Sequence, residues 1–156
     1  DLALARIDRP MPELNRFFYT AVGAGWHWTQ RLPWSYRRWL EYLDRPELET
    51  WMLTASGTPA GYFELEMQPE QHVEIAYFGL LPQFVGAGLG GHWLTCAIEC
   101  GWQMNARRVW VHTCTLDHPS ALANYQARGM RLYKQEVNIE DVALHPVGPW
   151  PGALTQ

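Results

Sequence analysis

Only three cysteines, Cys96, Cys100 and Cys114, occur in the 156 residues. They are odd in number and lack the spacing of a disulfide framework, so the fold must rest on its apolar core, and a reducing cytoplasm is the expected setting. Basic residues are also scarce. Twelve Lys and Arg against sixteen Asp and Glu leave a net charge of -4, without the basic stripe that nucleic-acid binding requires. No apolar run approaches the length of a membrane span, no signal-peptide pattern precedes the first predicted helix, and no internal repeat is visible. His92, Cys96 and Cys100 recur every four residues, but no fourth ligand accompanies them, and the two cysteines belong to an apolar helix stripe; no metal is expected. No Ser-His or Cys-His nucleophile pair stands out either, which argues against a covalent intermediate.

What remains is a globular composition, 47% hydrophobic and 18% charged, in a chain long enough for one domain with a substantial core. Residues 12–48 read as a helical region. Pro12 opens a helix that Gly23 stops, a loop rich in aromatic residues follows, and Ser35 caps a second helix ending near Asp44. Residues 49–142 read as the sheet. Strands are expected over 49–55, 61–68 and 73–81, joined by connections short enough to make them antiparallel neighbours. A helix to about Asn105, a strand over 108–114, a helix from Pro119 to Arg128 closed by Gly129, and a final strand over 130–142 complete the series. Residues 143–156, with three prolines, read as an irregular tail.

The chain is organised around Glu74 to Gln103, which reads as an apolar strand, a glycine-rich turn and an amphipathic helix. Gly86, Gly88, Gly90 and Gly91 crowd that turn. Glycine permits close backbone approach and positive φ, and the first amides of a helix have no intrahelical partner, so the turn suits a phosphate or pyrophosphate; close packing alone would also select glycine. The turn contains no lysine, which excludes a P-loop and with it nucleotide hydrolysis. Glycines 86, 88 and 91 match a dinucleotide fingerprint, but that motif belongs near the start of a parallel sheet, whereas this turn follows an antiparallel hairpin in mid-chain.

Gln83-Phe84-Val85-Gly86-Ala87-Gly88 does resemble, position by position, the acyl-CoA pyrophosphate loop Q/R-x-x-G-x-G/A of the GNAT superfamily of N-acetyltransferases. A second segment, Leu116 to Met130, is similar to the family's closing helix, with Ala121, Tyr125 and Gly129 on motif positions. His118 stands where asparagine is usual and Asn124 where leucine is usual. The glycine loop also lacks the basic residue that many relatives carry, so pyrophosphate charge would rest on backbone amides and the helix end.

The resemblance implies an α/β (α+β) domain with a mixed, mostly antiparallel central sheet flanked by helices. It further implies transfer of an acetyl group from acetyl-CoA to a primary amine by direct attack in a ternary complex. Residues 80, 81 and 83–88 would hold the coenzyme, with the amides near Leu80 and Leu81 receiving the oxyanion, and Asp117 or His118 would meet the pantetheine arm. Glu74 is the expected base. By period-two alternation it shares a face with Ala76, Phe78 and Leu80, while Glu64 and Glu66 are reserve carboxylates more in keeping with a solvated strand face. Tyr125 is the expected acid for the departing thiolate, and Trp26, His27 and Trp28 lie where the family builds its acceptor lid. Aromatic faces there suit a cationic or aromatic amine, small or peptidic, although tryptophans are more often core residues; exposed ones would favour a homodimer. Two other readings fit the same motifs. One is an inactive CoA-binding sensor or interaction domain, favoured by His118 and the neutral loop, and the other is transfer of a longer acyl group.

Overall fold

The computed structural model describes residues 1–145. Five strands form one sheet in sequence order: β1 (Leu2–Arg6), β2 (Leu48–Ala55), β3 (Thr58–Gln68), β4 (His72–Leu80) and β5 (Arg108–Trp110). The first four run antiparallel, and β5 joins β4 in parallel. Helices α1 (Pro12–Gly23) and α2 (Tyr36–Leu43) cover one face, α3 (Leu89–Gln103) covers the other, and α4 (Ala121–Ala127) follows β5. This is the mostly antiparallel α/β architecture expected from the sequence, in one domain, with β1 as an additional edge strand.

Local sequence explains the helices that frame the site. On α3, Trp93, Leu94, Ala97, Cys100 and Gly101 are buried at spacings that make one helical stripe, and they meet Phe63, Leu65, Val73 and Ile75 of the sheet. At α2, the Ser35 hydroxyl accepts a bond from the Arg38 amide at 3.2 Å, satisfying one orphan donor of the first turn. Across the sheet, Gly79 lets α1 and the aromatic loop approach β4, because a Cβ there would collide with Val22.

Two features of β4 shape the chemistry. Glu64 pairs with Tyr77 and Leu65 with Ile75, leaving Ala76 as the extra residue of a β-bulge. Residues before and after it therefore change face: Ile75 and Phe78 both pack toward α3, while Tyr77 packs toward α1 and α2. The expected shared face of Glu74, Ala76, Phe78 and Leu80 is broken at Ala76. The parallel pairing of β4 with β5 also ends early, at Glu74 and Trp110, so residues 111–114 part from β4 instead of extending the strand.

No strand forms over 130–142. Met130 donates its amide to the Tyr125 carbonyl at 3.1 Å, after which the chain is exposed, with Ile139 fully accessible. Alternating side chains make a strand only beside a partner edge, and β5 is only three residues long. Tyr133 packs instead on the Arg108 guanidinium, 4.1 Å from the ring centre. The tail expected over 143–156 lies, from Pro146 onward, outside the described residues.

Candidate active site

Where β4 and β5 part, a cavity of about 750 Å³ opens between the aromatic loop, the glycine turn and α4. Leu80, Val85, Gly86, Gly88, His118, Tyr125, Trp26, His27 and Trp28 all line it, so the two sequence motifs and the aromatic loop converge on one space. Glu74, Leu81, Gln83, Phe84 and Ala87 are not on its wall.

The backbone explains part of that division. The amides of Phe84, Val85 and Ala87 donate to the carbonyls of Leu81, Pro82 and Phe84 at 2.9, 3.2 and 3.3 Å, and the Leu81 amide donates to Ala60 at 2.8 Å. Tight turn formation uses these hydrogens, which corrects the expectation that the whole 83–88 run, and Leu81, present them to a ligand. Among the described residues the amides of Gly86, Gly88, Leu89 and Gly90 donate to no carbonyl. Gly86 and Gly88 hold φ of +82° and +78°, and a Cβ on either would meet no heavy atom within 4 Å, so the space before these donors is open. These open donors, shifted toward the start of α3, have the geometry to receive an anion.

Positive charge comes from elsewhere in the chain. The Arg128 guanidinium, at the end of α4, occupies the space that a side chain on Gly91 would need, and Asn124 Nδ2 donates to the Gly90 carbonyl at 3.2 Å. Together they tie α4 to the first turn of α3. Asn124 on a position usually apolar thus has a structural partner, and Arg128 adds a cation beside a loop that carries none.

Since the Leu81 amide points to β3, strand alternation turns those of Leu80 and Phe78 the other way. Beyond Trp110 no β5 residue pairs there. These two amides are placed to receive a carbonyl oxygen in the cleft.

Tyr125 is buried and lines the cavity. Burial, with the Asp117 charge adding to it, pushes its hydroxyl well above the usual tyrosine range, so it stays protonated at neutral pH and is available as a donor. Asp117 itself accepts bonds from the Thr113 hydroxyl and the Cys114 amide. His118 Nδ1 accepts the Ser120 amide at 3.0 Å, and its ring meets the edge of Trp26 at 5.0 Å, bridging the aromatic loop and α4. Trp28 is chiefly a packing residue, 4.8 Å from Tyr77 and 5.7 Å from Tyr19 between ring centres.

Two polar groupings escaped the sequence reading. Glu64, one of the reserve carboxylates, is fully buried and bound by Arg31 Nη1 at 2.8 Å, Asn15 Nδ2 at 3.0 Å and the Tyr42 hydroxyl at 3.1 Å. The Arg31 guanidinium lies 4.1 Å from the ring centres of both Tyr42 and Tyr77. This network fastens the aromatic loop to the sheet and is closed to substrate. Glu66, the other reserve carboxylate, sits 2.8 Å from Arg45. The second grouping joins Glu74 to His112 Nδ1 at 2.6 Å. Both are long-range pairs; a histidine within the strand expected over 108–114 was the one sequence signal for the second.

A profile of the acetyltransferase (GNAT) family matches residues 9–130. Similar solved structures include an aminoglycoside acetyltransferase from an uncultured soil metagenomic sample in complex with sisomicin (TM-score 0.68, 12% identity, 91% of this chain and 96% of that one). AAC(6')-Iy in complex with the bisubstrate analog CoA-S-monomethyl-acetylneamine is comparable (0.67, 14%, 92% and 99%). So is an IAA acetyltransferase from Bacillus cereus (0.66, 20%, 86% and 79%). No curated protein matches this sequence.

Proposed function

The chain belongs to the acetyltransferase (GNAT) family, and from that premise we propose that it transfers an acetyl group from acetyl-CoA to a primary amine by direct attack in a ternary complex. One observation carries the reading. The open amides of the glycine turn, the Tyr125 hydroxyl and an aromatic, partly acidic wall line a single cavity where β4 and β5 part.

On this reading the pyrophosphate meets Gly86, Gly88, Leu89 and Gly90 with Arg128 nearby, and the thioester carbonyl takes its bonds from the Phe78 and Leu80 amides. The amine enters past Trp26, His27 and Trp28. Asp117 and Glu140 lie on the same wall, which favours a cationic acceptor over a neutral or anionic one. The sisomicin and acetylneamine complexes of the structural neighbours are in keeping with that class. Amines such as lysine, with pKa about 10.4, arrive protonated, so a base must act before attack, and the Glu74 carboxylate reaches the cleft through its bond to His112.

Tyr125 then protonates the departing thiolate. Tyr125→Phe should lower kcat on the order of 100-fold while leaving CoA affinity within about twofold, since the hydroxyl acts on charge that develops only during reaction; equal losses in both would contradict the acid role. The function itself is tested by thiol release from acetyl-CoA with sisomicin, spermidine, tryptamine and a short peptide bearing a free N-terminus. Turnover with at least one cationic amine is expected. CoA binding by calorimetry without turnover on any of them would favour the sensor reading instead.

A further inference from the structure

We propose that His112 is the group that takes the proton from the incoming amine, with Glu74 behind it as a positioning residue, an assignment that rests on the acyltransfer reading above. The register puts His112 at the apex of the cleft. Pairing of β4 with β5 ends at Glu74 and Trp110, and from there Ile75 to Leu80 and Val111 to Cys114 line opposite sides of the cavity. His112, two residues past the last pair, is level with Ala76 in that register and shares the cavity with Phe78 and Leu80, whose amides would hold the acyl oxygen. Its side chain is 72% accessible, so an amine can reach it.

A chain of hydrogen bonds sets which ring nitrogen is free. Trp110 Nε1 can only donate, and it donates to Gln68 Oε1 at 3.1 Å. The Gln68 amide nitrogen therefore faces Glu74 and donates to Oε2 at 2.6 Å, leaving Oε1 to accept the Nδ1–H of His112 at 2.6 Å. In the neutral ring the lone pair then lies on Nε2. Glu74 has both oxygens engaged, is buried and lies off the cavity wall. It communicates with the amine through the imidazole.

The bond to Glu74 raises the basicity of His112 above that of an ordinary histidine, with smaller help from the charge of Asp117. Glu74 on β4 and Asp117 after β5 are the charged groups that face it; His27, His118 and Glu140 share the cavity. Nε2 takes one proton from the ammonium group of the acceptor, and the freed nitrogen pair forms the bond to the thioester carbon. The C–S bond breaks, and its electron pair leaves on sulfur, which takes the Tyr125 proton. The second nitrogen proton passes to solvent, and the proton held by the imidazolium restores the tyrosine.

Steady-state kinetics across pH test this, with wild type measured first on the amine panel. Wild-type kcat/KM should rise with pH along an acid limb set by the His112–Glu74 pair. His112→Ala should lower kcat on the order of 100-fold, abolish that limb and be partly rescued by added imidazole, with CoA affinity and melting temperature close to wild type. Glu74→Gln should move the limb to lower pH, because the carboxylate that favours the imidazolium is gone. Wild-type kcat with the limb intact in His112→Ala would overturn the assignment, as would loss of the limb in Glu74→Gln alone. Should wild type bind CoA yet release no thiol with any amine, the acyltransfer reading itself falls and takes the assignment with it.

Discussion

Gly88→Glu should weaken CoA binding by about thirtyfold or more while the chain still folds. At Gly88 the backbone has φ of +78° and the space ahead of it is open, so a glutamate costs about 1–2 kcal/mol of backbone strain but meets no protein atom that must move. Its carboxylate would project into the volume proposed for the pyrophosphate. Two like charges 4 Å apart at an effective dielectric near 20 repel by roughly 4 kcal/mol. If side-chain movement relieves half of that, affinity still falls about thirtyfold. Gly88→Ala supplies the control, since it carries the same φ strain without charge and should lose little affinity. Calorimetric titration separates the two; equal loss in both variants would trace the effect to loop geometry, and no loss in either would remove the coenzyme from this turn.

Arg31→Met should destabilise the domain by about 3–5 kcal/mol, the usual consequence of leaving a buried carboxylate without its cation, or roughly 6–20 °C in Tm. Glu64 has no exposed surface and the Arg31 side chain is 7% accessible, so neither water nor salt can replace the lost partner. Arg31→Met/Glu64→Gln should recover most of the loss, because the amide oxygen can still accept from Asn15 while the amide NH2 donates to the Tyr42 hydroxyl, and no charge remains buried. Failure of the double variant to recover would assign the loss to the packing of the Arg31 stem among Tyr42, Tyr77 and Trp34. Activity should fall with the single variant as well. The guanidinium lies 4.1 Å from the Tyr77 ring centre and 4.9 Å from that of Trp34, so its loss loosens the loop that carries Trp26 and His27.

Local signals in the chain were legible and long-range ones were not. Pro12, Ser35, the glycines of residues 86–91 and the apolar stripe through Trp93 and Cys100 act within a few residues of themselves, and each marks a real helix start, turn or buried stripe; Cys96, expected in that stripe, is only half-buried, and Ala97 takes its place in the core. The alternation over 130–142 is equally local, but a strand also needs an edge, and whether β5 offers one depends on where it leaves β4. Ala76 carries no glycine or proline to announce a bulge, so the face of Glu74 was read as continuous with Phe78 and Leu80. Its actual partner His112 lies 38 residues away. Glu64 was read as a solvated strand carboxylate because nothing near it in sequence hints at Arg31, 33 residues earlier. Pairing of this kind is decided by topology, and it is topology that turns a glycine turn and a distant helix into one cleft.

The most direct test is a ¹⁵N-resolved NMR titration of the protein with CoA. The amide resonances of Gly86, Gly88, Leu89 and Gly90 should shift together and saturate with one affinity, those of Phe78 and Leu80 should follow when acetyl-CoA is used, and the carbonyl-bonded amides of Leu81 and Ala87 should move least. Saturable shifts confined to another part of the molecule, or none at this turn, would contradict the account.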